Sequence, residues 1–178
     1  ADLISRGAIV GWVQGRAEVG QRALGGRSIL ADPRDRSMLL RVNELKDREW
    51  WRPLAPSVLV DYFYEVFGAP ASPPCDFMLA AYSVQRRWAQ LVPAIVHADG
   101  SARPQAVRAE THPRYWRLLE EFRLLTGVPL VINTSYNLAG EAISLTAADA
   151  VEMFQRSTLD ALAIGDHLVQ RWQGPGIT

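Results

Sequence analysis

Val128-Pro129-Leu130-Val131-Ile132-Asn133-Thr134-Ser135-Tyr136-Asn137 is the stretch on which the fold turns. Val128 to Ile132 is a short apolar run that reads as a buried strand, and a cluster of small polar side chains follows it directly. In open α/β sheets, ligands bind just beyond the carboxyl ends of the strands. So many polar groups exceed what one tight turn can satisfy. Ser135 and Asn137, two apart, can both face one anion and donate to it. The plainer reading of the same residues is a polar turn that caps its own backbone.

Outward from this stretch, helices and strands interleave. Upstream, His112-Pro113 opens a helix with proline at its first position. Tyr115, Leu118, Leu119, Phe122 and Leu125 line one face until Gly127 stops it. Downstream, Thr146 to Gln155 is a second amphipathic helix and Asp160 to Ile164 a final strand. Nearer the start, Ala8 to Val13 reads as a strand. Asp35 caps a helix reaching about Asp47, with Met38, Leu39, Val42 and Leu45 as its apolar stripe. Ser57 to Val60 reads as a strand, Tyr62 to Phe67 as a short helix ended by Gly68, and Ala69 to Pro74 as a loop. Phe77 to Val84 and Ala94 to His97 read as strands, with Asp99-Gly100 as the hairpin turn leading to Ala102 to Val107. This interleaving predicts an α/β fold, an open mixed twisted sheet covered by helices.

Composition narrows the function. With 178 residues, 48% hydrophobic and 21% charged, the chain can bury a real core. A net charge of zero argues against a broad nucleic-acid footprint. The lone Cys75 excludes an internal disulfide and a cysteine-based metal site. No apolar run approaches the roughly 20 residues of a bilayer span, and no charged-then-apolar leader opens the chain. A cytoplasmic location without a membrane partner is the expectation. Ala1 to Gly7 reads as the last turns of a helix, so the domain is expected to be cut from a longer protein.

Of the 19 basic residues, 18 are arginine and one is Lys46. A GC-rich genome produces such a bias, but a lysine that survives it can be there for its compact ammonium. The segment from Gly15 to Arg34 places Arg16, Arg22, Arg27 and Arg34 among glycines. Glycine lets backbone approach a ligand, and arginine grips phosphate or carboxylate oxygens with a fork; a solvated surface loop is the alternative. Lys46, Arg48 and Arg52 stand beside Trp50 and Trp51. Lys46 and Arg48 share a face if the backbone there is extended, and the tryptophans can shield a site or stack on a base. A charged helix end, where cations suit the dipole, is equally open. Arg103 follows the Asp99-Gly100 turn, and the nearby His97 reads as a structural histidine.

Lys46-x-Arg48 with Ser135-x-Asn137 far downstream resembles the KxR and SxN signatures of the YrdC-like fold. Around them GRAEVGQRALGGRSILADPR (15–34), REWWRPLAPSVL (48–59), HADGSARPQ (97–105), TGVPLVINTSYNLAGEAI (126–143) and DALAIGD (160–166) are similar to the C-terminal domain of the O-carbamoyltransferases. That family decorates antibiotics and Nod factors. The resemblance runs from about Gly7 to Arg171.

It implies a single YrdC-like domain over residues 1–178, using ATP and carbamoyl phosphate to make carbamoyladenylate. An N-terminal Kae1-like domain would then pass the carbamoyl group to a hydroxyl of a natural-product acceptor. It implies Lys46 and Arg48 as catalytic residues holding carbamoyl phosphate. Arg22, Arg52, Arg103, Asn133, Ser135 and Asn137 would surround the substrates. No metal ligands are implied, and Mg²⁺ would come with ATP. The sequence departs from the family pattern at Gln21, where proline is usual, and at Gly26, where a larger polar residue is common. Leu54 and Tyr136 replace phenylalanines, and Ala142 a proline. None of these removes a cation. Two other readings stay open, a non-catalytic nucleotide-binding module and a relative serving tRNA threonylcarbamoylation.

Overall fold

Along the chain come α1 (Asp2–Ser5), β1 (Val10–Val13), β2 (Arg27–Ala31), α2 (Ser37–Leu45), β3 (Ala55–Leu59), α3 (Phe63–Phe67), β4 (Tyr82–Ser83), α4 (Arg86–Leu91), β5 (Ser101–Ala102), β6 (Gln105–Val107), α5 (Pro113–Thr126), β7 (Leu130–Ser135), α6 (Ala147–Arg156), β8 (Ala161–Ile164) and β9 (His167–Gln170). These come from a computed structural model, which describes residues 1–171. Seven strands join in the order β6-β3-β7-β2-β1-β8-β9, and β4 with β5 forms a separate small ribbon. The sheet is mixed: β3–β6 and β1–β8 are parallel, the other neighbours antiparallel. No helix among the described residues is long and apolar enough to cross a membrane.

Both faces of the sheet are covered, which is why β1, β2 and β3 are buried along their whole length. Adjacent residues of β1 show it. The Trp12 ring meets Tyr115 of α5 with centroids 6.2 Å apart. Gly11 points to the other face, where a Cβ would come 2.4 Å from the Tyr136 ring. Tyr136 in turn donates its hydroxyl to the Ala150 carbonyl of α6, at 2.9 Å. α5 and α6 therefore lie on opposite faces. Thr146 caps α6 by a reciprocal capping box with Asp149, and Gly127 ends α5 with φ of 76°.

The structure differs from the sequence reading at several elements. β7 runs on through Asn133, Thr134 and Ser135, because these pair with β2 instead of forming a loop. β2 itself emerges from the end of the glycine-arginine segment, where its brevity and flanking turns hide it. Pro56 lies inside β3; the ladder to β6 begins only at Ser57, so the missing N–H costs no bond on that side. Phe77 to Val84 is not a strand: Pro73–Phe77 is a 3₁₀ turn and only Tyr82–Ser83 pairs. Likewise Pro93–Ile95 is a 3₁₀ turn, again started by proline. The turn at Asp99-Gly100 forms, but Ser101 and Ala102 pair with Ser83 and Tyr82. Asp160 to Ile164 is followed by one more strand, β9. Leu125, expected on the apolar face of α5, is exposed.

Candidate functional site

The end of α2 shapes the first half of the site. Asp47 adopts a left-handed φ of 45°. Its N–H donates to Glu44 O at 2.9 Å and the Arg48 N–H to Asn43 O at 3.1 Å. This double closure is the Schellman ending, with aspartate where glycine is usual. The backbone at Lys46 and Arg48 is thus a tightly turned helix end, the second of the two alternatives the sequence left open, and not an extended segment. The buried Asn43 secures the segment that follows. Its Nδ2 donates to the carbonyls of Trp50 and Arg52, at 3.0 and 2.9 Å, and its Oδ1 accepts from Arg48 Nε at 2.6 Å.

The end of β7 supplies the second half. Lys46 Nζ donates into a ring of four oxygens, Ser135 O and Oγ and Asn137 O and Oδ1, at 2.5 to 3.3 Å. Ser135 Oγ donates to Asn137 Oδ1 at 2.6 Å, and Asn137 Nδ2 to Glu141 O at 2.6 Å. The KxR and SxN residues are therefore brought together, but Lys46, Ser135 and Asn137 are knitted to one another. Burial and the neighbouring Arg48 charge push the Lys46 ammonium down to about 7. The four oxygens, all acceptors, pull the other way without carrying a formal charge.

The glycine-arginine loop brings up the third part. Glu18 Oε1 accepts from the N–H groups of Leu24, Gly26 and Arg27, at 2.7 to 3.2 Å. The Ala23, Leu24 and Gly25 carbonyls are held by Asn133 Nδ2, Gln105 Nε2 and Trp12 Nε1. Gly25, with φ of 102°, sits so close to Tyr115 that a Cβ would lie 2.4 Å from the ring. Nearly every peptide group from Ala23 to Arg27 is thus fixed by a side chain from elsewhere. The loop carries Arg22 in a set position, opposite Arg103.

Two cavities meet here. One, of about 530 Å³, is walled by Lys46, Arg48, Arg52, Ser135, Asn137 and the turn from Leu138 to Gly140, together with the acidic Asp47 and Glu49. The other, of about 120 Å³, is lined by Arg22, Arg48, Arg103, Asn133 and Ser135 among others. Arg48 and Ser135 belong to both. Arg22 Nε, Arg48 Nη2 and Arg103 Nε are buried without any hydrogen-bond partner. Among the described residues none of these three arginines pairs with a carboxylate, whereas Arg34, Arg114 and Arg123 pair with Asp32, Asp166 and Glu120. The cations instead press on one another. Burial and Arg22 lower the pKa of Arg103, and burial and Arg52 push Arg48 down to about 10 despite the opposing charge of Glu49. Partly buried like charges with free donors have the chemistry to take up an anion.

All eight residues singled out in the sequence line one or both cavities. Their duties differ. Arg52 is tied to Glu49 at 2.8 Å. Asn133 spends its Nδ2 on Ala23 O, Ser57 Oγ and Gln105 Oε1, leaving a buried Oδ1 without a partner. Trp50 and Trp51 are 71% and 59% exposed and line neither cavity. His97 also lies outside both, its pKa lowered mainly by burial. Asn43 and Glu18 escaped the sequence reading. The available signals were an amide beside the apolar stripe of α2 and a lone acid in a glycine-rich loop.

The chain is similar to known proteins along nearly its whole length. The family model described as carbamoyltransferase C-terminus matches residues 1–171. The chain is 44% identical over 173 residues to nodulation protein NolNO of Sinorhizobium fredii, covering 96% of the chain and 25% of that protein. It is 42% identical to nodulation protein NolO of Bradyrhizobium diazoefficiens, covering 96% and 32%. The chain thus spans about a quarter to a third of the length of these relatives. Among solved structures, full-length HypF in its phosphate- and nucleotide-bound form superposes with a TM-score of 0.60 at 17% identity, over 86% of the chain and 19% of HypF. P. abyssi Sua5 complexed with L-threonine gives 0.57 at 18%, over 85% and 41%. These structures share the fold, which is YrdC-like. By the match along residues 1–171, the chain belongs to the carbamoyltransferase C-terminal family.

Proposed function

We propose that the chain is the carbamoyl-activating domain of an O-carbamoyltransferase, using carbamoyl phosphate and ATP to form carbamoyladenylate. The observation that supports this is the trio of partnerless guanidinium nitrogens on Arg22, Arg48 and Arg103 around one small pocket that joins a larger cleft. A pocket of about 120 Å³ suits a carbamate or a single phosphate, and a cleft of about 530 Å³ the phosphates of a nucleotide. One water molecule first cleaves carbamoyl phosphate to carbamate and phosphate. A carbamate oxygen then attacks the α-phosphorus of ATP, the bond to the β-phosphate oxygen breaks, and pyrophosphate leaves. The arginines offset the repulsion between the two anions and stabilise charge as it grows on the departing oxygens. Lys46 braces Ser135 and Asn137 as a wall of the cleft and adds its own charge when protonated. Carbamate and its adenylate hydrolyse readily, so a buried pocket also protects them from water.

Among the described residues no group of three or more His, Cys, Asp or Glu side chains is placed to hold a metal ion. Mg²⁺ would come with ATP, held by its phosphates. The larger part of the protein, Kae1-like by the resemblance, would pass the carbamoyl group to the hydroxyl acceptor, in the cytoplasm where ATP is supplied. The test is carbamoyl-phosphate-dependent release of pyrophosphate from ATP. Release that falls at least about tenfold in Arg48→Ala and Arg103→Ala is expected. Nucleotide binding with no pyrophosphate release would overturn the proposal in favour of a non-catalytic binding module.

A further inference from the structure

We propose that Asn43 is the positioning residue for Arg48, the side chain common to both cavities. The role deepens the anion site proposed above and rests on it. Asn43 is fully buried, and each polar group of its side chain is engaged with the segment it folds back against. Its Oδ1 meets Arg48 Nε at 2.6 Å, and its main-chain oxygen takes the Arg48 N–H. Its Nδ2 ties down Trp50 and Arg52 on the far side of that arginine. The guanidinium is therefore gripped at Nε, while Nη2 is left buried and without a partner beside the small pocket.

The choice of an amide follows from the chemistry. A carboxylate at position 43 would aim Arg48 equally well but would cancel its charge, as Asp32 does for Arg34. It would also set a negative oxygen against the carbonyls of Trp50 and Arg52, where the amide donates. A neutral acceptor on one edge and donors on the other orient Arg48 and keep its positive charge for the ligand.

The experiment is a double-mutant cycle on the full 178-residue chain, with pyrophosphate as the probe and calorimetry as the readout. Asn43→Ala is expected to weaken pyrophosphate binding by about tenfold in the native background and by less than about twofold in Arg48→Ala. An equal loss in both backgrounds would mean that Asn43 only staples the loop, and would overturn the proposal. A second measurement does not depend on how well the variant folds. By ¹⁵N NMR of the native chain, the Arg48 Nε proton should exchange slowly compared with those of exposed arginines such as Arg36 and Arg87. Exchange as fast as theirs would also overturn the proposal. The two readings fail separately, since undiminished affinity in Arg48→Ala alone strikes the anion site and not the grip on Nε.

Discussion

Among the described residues Arg22, Arg48 and Arg103 lack the carboxylate partner that arginines such as Arg34, Arg114 and Arg123 have. Arg27 also leaves its Nε buried and unpartnered, but it lines neither cavity, and its Nη1 and Nη2 donate to the carbonyls of Gln14, Gly15, Gly26 and Leu145. Arg103→Ala should therefore weaken phosphate binding by about ten- to a hundredfold, the worth of one or two charge-assisted hydrogen bonds, while the thermal midpoint changes little. Calorimetry with inorganic phosphate measures it. Lys46 gives a second prediction, in pH. Its amine titrates near 7 in the folded chain against 10.5 ordinarily. Below the lower value both states are protonated and the cost of burying the charge is fully present. Between the two values the unfolded chain binds more protons, so stability rises with pH, by up to about 1.4 kcal/mol per unit. Urea midpoints at about pH 7.5 and about pH 9.5 should show this rise in the native chain and lose it in Lys46→Met. Anion binding should weaken over the same range, as the site loses a charge. Lys46 stood out in the sequence because it is the only lysine. Its employment was not legible there, since that depends on oxygens 89 and 91 residues away closing around it.

Elements carry these residues to one place by their endings. α2 stops in a left-handed residue that is aspartate, so Asp47→Gly should stabilise the chain by about 0.5–1 kcal/mol through relief of the Cβ at positive φ. Thermal unfolding tests this. Gly25→Ala should act in the opposite sense. Its Cβ meets the Tyr115 ring at 2.4 Å, and either the loop or α5 must shift, costing at least about 2 kcal/mol and displacing Arg22. α5, α6, β1 and the apolar half of β7 could be read from periodicity and from caps such as Pro113, Gly127 and Thr146. β2, β4 and β9 could not, as they are short and take their pairing from strands far along the chain. Phe77 to Val84 has the residues of a strand but no partner for most of its length, and the prolines before it set a 3₁₀ turn instead.

At the scale of the whole molecule, like charges press on one another across the site. Arg22 against Arg103, Arg52 against Arg48 and Arg48 against Lys46 each lower a neighbour's pKa. An anion that relieves this should stabilise the folded chain by about 2.7 kcal/mol at a hundred times its dissociation constant. Differential scanning fluorimetry with pyrophosphate reads the rise in midpoint, and the Arg22→Ala/Arg103→Ala chain should not show it. At this scale the family was legible in the sequence as long blocks in the right order, whereas the division into a small pocket and a cleft needed coordinates. Gly11 and Tyr136 tie sheet and site into one inheritance. Tyr136 stands between Ser135 and Asn137 and keeps its place only because position 11 is empty. A lineage that acquires a side chain at 11 must therefore exchange the tyrosine for something smaller. The two positions should covary among descendants, so that a change in the sheet is recorded in the binding motif.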